Sequence, residues 1–261
     1  HPNITVLTLT EAESIVREEN GLFSVTLKKH PRYVVEKDCT GCQECERACP
    51  AIVEDQFQFG LVARKAVYIP FNIANPRVAL IDIENCILCG LCEQKCPSSC
   101  IDFTQKEELI EVKVKSVIVA TGFKLFDPLL IPRYGFGKYK NVITSMQMER
   151  QLAPTRPFNH ILRPSDGKIP EKIAYIFCTG SRDNTCGNAI CSQVCCMYST
   201  KHAQLLMGAL PMADITLYFI NIRAFGKGFN EFYMQAKDMG ANYVKGKVAT
   251  VTEKENGNLV L

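Results

Sequence analysis

Residues 39–50 read CTGCQECERACP, and residues 86–97 repeat the same cysteine spacing as CILCGLCEQKCP. In each segment three cysteines are separated by two residues, and a fourth follows three residues later and precedes a proline. This is the spacing of bacterial ferredoxins, in which the fourth cysteine of one motif ligates the cluster of the other. The two segments therefore predict two [4Fe–4S] clusters in one small domain.

The spacing also predicts how the ligands are shared. Three thiolates on a tight loop wrap one face of a cubane, so the fourth iron corner needs a thiolate from elsewhere in the chain. The first predicted ligand set is Cys39, Cys42, Cys45 and Cys96. The second predicted ligand set is Cys86, Cys89, Cys92 and Cys49.

Other uses of these cysteines fit less well. Zinc prefers paired cysteines on separate knuckles, and disulfides need an oxidising compartment that nothing in the sequence indicates. Cys100 matches no ligand position, and we expect it to be a small buried apolar residue. The long segment between the motifs predicts an added hairpin from about 66–70 and 78–83.

Composition excludes several classes of protein. The chain has 261 residues, is 47% hydrophobic and 22% charged, and has a net charge of +3. These values are typical of one or two globular domains and argue against a nucleic-acid or membrane-surface partner. The sequence contains no apolar run of 18 residues, so no transmembrane helix is predicted. The chain opens on His1 rather than Met, which indicates either processing or an internal piece of a longer protein, and we expect the second.

A third cysteine group follows a predicted buried strand at 172–177. Its members are Cys178, Cys191, Cys195 and Cys196, with Cys186 inside the loop. On a helix predicted at about 191–209, Cys191 and Cys195 would share a face, and a helix N-terminus stabilises thiolates. From spacing alone, a third [4Fe–4S] cluster is as well supported as redox-active or simply buried thiols, and zinc is a lesser alternative.

The residues before and after the ferredoxin motifs predict a β-rich domain. A β-rich run spans 4–9, and residues 23–27 and 110–114 alternate apolar with polar side chains. Residues 117–119 are continuously apolar and predict a buried strand. The cysteine-rich segment is therefore predicted to be inserted into a different domain.

The C-terminal part of the chain predicts a βαβ unit. Strands are expected at 172–177, 215–220 and 242–251, with helices at about 191–209 and 229–237. A short helix is also predicted before them, at about 145–152. This order is typical of a doubly wound domain, so the predicted fold class is α/β with an inserted α+β domain. The predicted segments are 1–36 (β-rich), 37–106 (inserted ferredoxin domain), 107–165 (return to the outer domain) and 166–261 (βαβ domain).

The βαβ unit lacks a nucleotide fingerprint. Its first strand–helix turn reads CTGSR at 178–182, where a dinucleotide-binding fold carries G-x-G-x-x-G. Residues 221–223, after the next strand, read NIR and offer no acidic residue for a ribose. The domain is therefore predicted to have a nucleotide-binding shape without that function.

Seven further segments point to one family. They are KKHPRYV (28–34), RKAVYIPF (64–71), VATGF (119–123), RPSDGK (163–168), CTGSRD (178–183), CCMY (195–198) and NIRAFGKG (221–228). Together with the cysteine motifs, they make essentially the whole chain resemble the HdrA family, the iron–sulfur flavoprotein component of heterodisulfide reductase. Components of quinone-interacting oxidoreductases are related to this family, and that alternative stays open.

The resemblance implies a thioredoxin-reductase-like flavoprotein, of FAD- and NAD(P)-binding type, with the ferredoxin domain inserted in its FAD part. Ala120, Thr121 and Gly122 match the family's second FAD-contacting motif, where glycine lets the backbone approach the cofactor. The third cysteine group matches an additional cluster of the family. Lys201 matches a family lysine near that cluster, where it is either a catalytic residue stabilising a reduced flavin or an ordinary surface lysine.

The resemblance also implies a role and partners. The expected role is that of an oxidoreductase component that relays electrons between FAD and [4Fe–4S] clusters, with flavin-based bifurcation as one option. Expected partners are the other subunits of a heterodisulfide reductase-type complex and a ferredoxin, hydrogenase or formate dehydrogenase as electron donor. The expected location is the cytoplasm, and methanogenesis is the expected process.

The sequence departs from the full family pattern, because it lacks the N-terminal FAD strand with its glycine fingerprint and a second, C-terminal ferredoxin domain. We therefore expect the complete protein, rather than this piece alone, to hold FAD. Two other hypotheses remain. One is a ferredoxin-type relay without flavin, and the other is a zinc-stapled interaction protein.

The remaining polar residues are interpreted as structural. The histidines are interpreted as ordinary polar or surface residues; they are His1, His30, His160 and His202. Four loop residues are interpreted as forming loop-fixing salt bridges; they are Arg163, Asp166, Arg182 and Asp183.

Overall fold

The computed structural model describes residues 3–261, so the interpretation of His1 lies outside the described residues. The chain forms two compact units. The first contains the residues up to Phe57 together with Ala63–Phe123, and the second contains Gln58–Val62 and Lys124–Leu261. None of the helices in the described residues has the length and apolar character needed to cross a membrane.

The first unit contains seven strands and two short helices within its described residues. In chain order they are β1 (Thr10–Arg17), β2 (Phe23–Lys29), α1 (Glu44–Ala48), β3 (Ile52–Glu54), β4 (Ala63–Lys65), β5 (Val67–Tyr68), β6 (Leu80–Ile81), α2 (Leu91–Lys95) and β7 (Glu108–Val114). Strands β1, β2 and β7 form an antiparallel sheet with β2 in the centre. The cysteine motifs lie in the chain between β2 and β7.

Local backbone geometry sets the limits of this sheet. The turn between β1 and β2 is made by Asn20, whose side chain accepts from the Leu22 N–H at 2.9 Å, and by Gly21 with φ of +81°. The β-rich run predicted at 4–9 is not a strand, because β1 begins only at Thr10. Leu9 has φ of +53°, a left-handed conformation that an extended strand cannot contain.

The buried strand predicted at 117–119 is wrong. Strand β7 ends at Val114, and the chain from there to Phe123 is irregular. Ile118 and Val119 are 90% and 74% exposed. An apolar run becomes a buried strand only where neighbouring strands pair with it, and none of the described strands does so here.

The predicted hairpin between the cysteine motifs is confirmed. Strand β5 pairs with β6 in antiparallel register, with Val67 opposite Ile81. Both side chains are buried in a core that also contains Val34 and the side chains of Cys45 and Cys92. The inserted segment therefore packs its hairpin directly behind its thiol-bearing loops.

The second unit is built around a parallel sheet. Its helices and strands are α3 (Ser145–Leu152), β8 (Lys172–Ile176), α4 (Cys195–Ala209), β9 (Asp214–Phe219), α5 (Phe229–Asp238), β10 (Asn242–Lys245), β11 (Thr252–Glu253) and β12 (Leu259–Val260). The order β10-β9-β8, all parallel, confirms the predicted βαβ rhythm. Strand β10 ends at Lys245, short of the predicted 251.

Helix α4 packs against the central strand of this sheet, and helix α3 packs against α4. Helix α4 buries Ala203 and Leu206 in the same core as Ile215 and Leu217 of the central strand. Helix α3 has the predicted bounds and starts with a capping box between Thr144 and Gln147, which satisfies N–H groups at its first turn.

The adjacent leucines of α4 provide a matched test of this packing. Leu206 is fully buried, whereas Leu205 is 45% exposed. We expect Leu206→Ala to lower the free energy of unfolding by about 2–5 kcal/mol, because it removes buried methyl groups and leaves a cavity. Leu205→Ala should cost much less. Urea unfolding followed by circular dichroism measures both, and equal losses would contradict the described core.

Candidate metal centres

The first predicted ligand set converges on one cavity of the first unit. The cavity is lined by the four predicted ligands, which are Cys39, Cys42, Cys45 and Cys96, and by Cys100. Burial, together with the nearby sulfurs of Cys39, Cys42 and Cys96, raises the pKa of the Cys45 thiol to about 11. A cationic centre such as an iron–sulfur core would offset this repulsion and stabilise the thiolate form of Cys45.

The second predicted set has a similar arrangement. Burial raises the pKa of the Cys92 thiol, and the nearby sulfurs of Cys86 and Cys49 contribute to the same rise. Cys89 lies in the same loop with an exposed side chain. Cys49 comes from the first motif, so the structure brings a thiol of each motif next to the thiols of the other.

The two loops depend on left-handed backbone conformations. Gly41 has φ of +66°, and a Cβ atom there would lie 2.7 Å from the carbonyl oxygen of Arg77, so only glycine fits between Cys39 and Cys42. Gly90 has φ of +72° and caps α2. Backbone N–H groups then point at sulfur: the Leu88 N–H donates to Cys86 at 3.4 Å, and the Cys100 N–H donates to Cys96 at 3.5 Å.

The third cysteine group also comes together, in the second unit. Hydrogen bonds from the thiols of Cys178 and Cys196 hold the pKa of Cys195 far below its usual value, and the same bonds raise the pKa values of those two donors. The sulfur of Cys191 lies close enough to raise the pKa of Cys178 as well. Four sulfurs thus meet where β8 ends and α4 begins.

The helix predicted at 191–209 is wrong at its start. Helix α4 begins at Cys195, so Cys191 is not one turn before Cys195 on a shared face. Gln193 has φ of +62°, which an α-helix cannot contain, and this residue redirects the chain between the two cysteines. Cys186 stays apart from the group, because its thiol donates to the Asp183 carbonyl oxygen at 3.4 Å and packs in a separate core.

The donor chemistry of all three groups fits iron–sulfur clusters. Every predicted ligand is a thiol, and soft thiolates in sets of four are the usual ligands of [4Fe–4S] cubanes. In the described part of the chain, no three His, Cys, Asp or Glu side chains are arranged to hold a single metal ion. A cubane places its irons at four separate corners, so its ligands do not meet at one point.

The residues matched to flavin contact lie in different settings. Ala120, Thr121 and Gly122 are exposed in the irregular segment after β7, and Gly122 has φ of +72°. Lys201 lies on α4, is 45% exposed and donates to Glu149 Oε1 at 2.6 Å.

Sequence reasoning missed Glu149 and placed His202 wrongly. His202 is fully buried rather than on the surface, and its Nε2 contacts the second oxygen of Glu149. The signal was present in the sequence, since Ser199, His202, Ala203 and Leu206 follow the helical spacing of a buried face. Glu149 thus joins two consecutive side chains of α4 to α3.

The protonation states of Glu149 and His202 follow from their burial and from their hydrogen bonds. Burial lowers the pKa of His202, because protonating Nδ1 would leave a buried N–H with no partner in the described structure. Burial opposes ionisation of Glu149, but hydrogen bonds from Lys201 and His202 outweigh it and hold its pKa below the usual value. The neutral imidazole therefore donates Nε2–H to an ionised carboxylate.

The loop residues interpreted as structural do make fixing contacts. Asp183 is buried and bridges Arg133 at 2.8 Å and Lys247 at 3.0 Å. Arg163 pairs with Asp166 at 3.3 Å, and Arg182 bonds to Asn221. His30 pairs with Glu107 at 3.1 Å. The turn after β8 is further fixed by Gly180, against which the Phe126 ring packs so closely that a Cβ atom would overlap it.

A family model for the 4Fe-4S dicluster domain matches residues 38–101, the segment that carries the first two cysteine groups. Curated relatives match the chain from end to end. HdrA of Methanocaldococcus jannaschii, named as the iron-sulfur component of its CoB–CoM heterodisulfide reductase, is 42% identical over 264 residues, which cover 100% of this chain and 40% of the relative. The chain is homologous to one part of HdrA.

Two further relatives agree with this relationship. HdrA of the ferredoxin/F420H2-dependent CoB–CoM heterodisulfide reductase of Methanosarcina acetivorans is 42% identical over 263 residues, covering 100% of this chain and 33% of the relative. HdrA of the H2/formate:CoB–CoM heterodisulfide, ferredoxin reductase of Methanococcus maripaludis is 44% identical over 264 residues, covering 100% and 40%. The resemblance to the HdrA family is confirmed, and the chain spans 33–40% of the length of these relatives.

The buried histidine gives the second unit a predicted pH dependence. The pKa of His202 is held below the usual 6.5, so the unfolded chain takes up this proton before the folded chain does. The contribution of His202 to the free energy of unfolding is constant above about pH 6.5 and is lost as the pH falls below that value.

We therefore expect His202→Asn to flatten the slope of unfolding free energy against pH between about pH 5 and 6.5. His160→Asn is the matched control, because His160 is exposed and lies outside the contact with Glu149. Urea unfolding at several pH values measures the slopes. Identical slopes in wild type and His202→Asn would contradict the assigned protonation state.

Proposed function

We propose that this chain is the cluster-holding part of a heterodisulfide reductase-type oxidoreductase, in which it relays electrons through three [4Fe–4S] clusters. The observation that carries the proposal is the convergence of eleven of the twelve predicted ligand thiols in three groups, on a chain homologous over its whole length to HdrA. The twelfth, Cys89, lies with an exposed side chain in the loop of the second group. When bound, such clusters accept and donate single electrons.

The protein's part in this function is to hold the clusters and tune them. The first cluster would be held by Cys39, Cys42, Cys45 and Cys96. The second would be held by Cys86, Cys89, Cys92 and Cys49. The third would be held by Cys178, Cys191, Cys195 and Cys196. Solvent access and hydrogen bonds to sulfur set the reduction potential of a cluster. Each group has at least one buried thiol, and backbone N–H groups donate to the sulfurs of Cys86 and Cys96.

The third cysteine group lies at the turn where a dinucleotide-binding domain of this topology would bind its ligand. In an open α/β sheet, ligands bind beyond the carboxyl ends of the strands, at the first strand–helix turn. Here Cys178 follows β8 at that position, and Cys195 and Cys196 occupy the first turn of α4. The thiols stand where a dinucleotide-binding domain has its phosphate-binding glycines.

We further propose that the complete protein binds FAD in a thioredoxin-reductase-like domain into which the ferredoxin segment 37–106 is inserted. Two features support this. Ile118, Val119 and Phe123 expose apolar side chains on either side of Ala120-Thr121-Gly122, and Gly122 already has the positive φ that a close backbone approach needs. From the family resemblance we also propose Lys201 as a cation that stabilises a reduced flavin in the complete protein.

The partners follow from the names of the relatives. Those proteins are named for ferredoxin, F420H2, H2 and formate. We propose that this chain works with the other subunits of such a complex in the cytoplasm, with a donor of one of these kinds. The alternative is a ferredoxin-type relay without flavin, for which the three cysteine groups by themselves would suffice.

The cluster count is tested by iron and acid-labile sulfide after anaerobic reconstitution. Wild type should hold about twelve irons per chain, and a variant with alanine at Cys178, Cys191, Cys195 and Cys196 about eight. Cys186→Ala is the matched control, because this thiol lies in the same unit but outside the group, and it should keep about twelve. About eight irons in both wild type and the fourfold variant would remove the third cluster from the proposal.

Flavin binding is tested with two glycines of equal backbone strain. Gly122 and Gly21 have φ of +72° and +81°, and a Cβ atom meets nothing within 4 Å at either. In the complete protein, Gly122→Val should lower the flavin content and Gly21→Val should not, because only the first would meet the cofactor. Flavin absorbance after release by acid measures both. If the complete wild-type protein releases no flavin, the FAD proposal is wrong and the relay alternative replaces it.

A further inference from the structure

A fifth thiol lies against the first predicted cluster site. Cys100 is 3% exposed, and its sulfur lies 3.4 Å from the sulfur of Cys96. It lines the same cavity as the four predicted ligands. Its backbone N–H also donates to Cys96, at 3.5 Å. Cys100 therefore faces the cluster side of its core, which a simple space-filling role does not require.

The direction of the sulfur–sulfur contact follows from ligand chemistry. A cysteine that ligates iron is a thiolate, which has no proton to donate. Cys96 is the predicted ligand, since it ends the second ferredoxin motif, whereas Cys100 has no place in either motif. With a cluster bound, the Cys100 S–H is the donor and the Cys96 sulfur is the acceptor.

The second cluster has no equivalent donor at the matching position. Its fourth predicted ligand is Cys49, and the residue four positions later is Val53, whose side chain carries no donor. The carbonyl oxygen of Ala51 lies 3.8 Å from the Cys49 sulfur, and a carbonyl oxygen only accepts. Two motifs of identical spacing thus differ in one S–H group beside the fourth ligand.

We infer that Cys100 is a positioning residue that raises the reduction potential of the first cluster through its hydrogen bond to Cys96. The inference rests on the proposed ligand sets. A donor to a ligand sulfur withdraws electron density from the cluster and stabilises the reduced, more negative state. Cys100 thereby separates the potentials of two clusters that share a domain and a ligand type.

The test is a redox titration of the reconstituted full chain, followed by electron paramagnetic resonance. Cys100→Ala should move one cluster signal to lower potential and leave the others in place, because the donor is lost without a change at any ligand. Cys100→Ser keeps a hydroxyl donor and should restore most of the shift. Cys186→Ala, which removes a thiol from the other unit, should move no signal.

A second measurement detects the Cys100 S–H proton in wild type and is repeated on Cys100→Ala. The Cys100 S–H proton exchanges with solvent and lies next to a ligand sulfur, so electron–nuclear double resonance of the reduced wild type should show a coupled proton that D2O removes. The Cys100→Ala spectrum should lack that one coupling. This readout separates hydrogen bonding from a merely structural effect.

Iron content separates failure of this inference from failure of the proposed function. A wild type that binds no iron overturns the ligand sets and the inference with them. A loaded Cys100→Ala chain whose potentials equal those of wild type overturns the inference alone. A wild-type spectrum without the exchangeable coupling also overturns it, even if Cys100→Ala fails to load.

Discussion

The crossing of one thiol from each ferredoxin motif to the other is the constraint on which the inserted segment depends. Cys96 reaches the cavity formed by the first motif, and Cys49 lies among the thiols of the second. Each crossing ties residues far apart in the chain to one site, so the loops have to fold together. The hairpin of β5 and β6 supports this arrangement by burying Val67 and Ile81 in the core that holds Cys45 and Cys92.

In the second unit, a parallel sheet and the helix that follows its strand β8 position the thiols. The turn after β8 brings Cys178 to the start of α4, where helix geometry fixes Cys195 and Cys196 side by side. Cys191 reaches the group through an irregular segment, bent by the left-handed Gln193. On the next turn of α4, Lys201 and His202 hold Glu149, so the helix that carries two thiols is also anchored to α3 by charge. Two thiols of the third group therefore lie on a helix that a part-buried polar contact ties to α3.

Sequence reasoning succeeded where a short-range pattern carries the information. The alternation of strands and helices in the second unit, the bounds of α3 and the hairpin between the cysteine motifs all follow from patterns within short segments of the chain. It failed where the outcome depends on the backbone conformation of a single residue or on whether a neighbouring strand pairs with the segment. A left-handed residue at Leu9 delays β1, and the apolar run at 117–119 lies exposed because none of the described strands pairs with it. His202 is buried because its position on the helix outweighs the polar character of its side chain.

The sequence by itself determined the chemistry: two ferredoxin motifs with one spacing, a third group of thiols after a buried strand, and an α/β rhythm around them. These are local facts, since ligand spacing and hydrophobic periodicity are written in consecutive residues. Only the tertiary structure decided that the thiols of the third group meet, that Cys186 stands apart and that Cys100 lies 3.4 Å from Cys96. It also decided that Glu149 pairs with Lys201 and His202. These contacts join residues from separate turns, strands and helices, and the packing of the core brings them into contact.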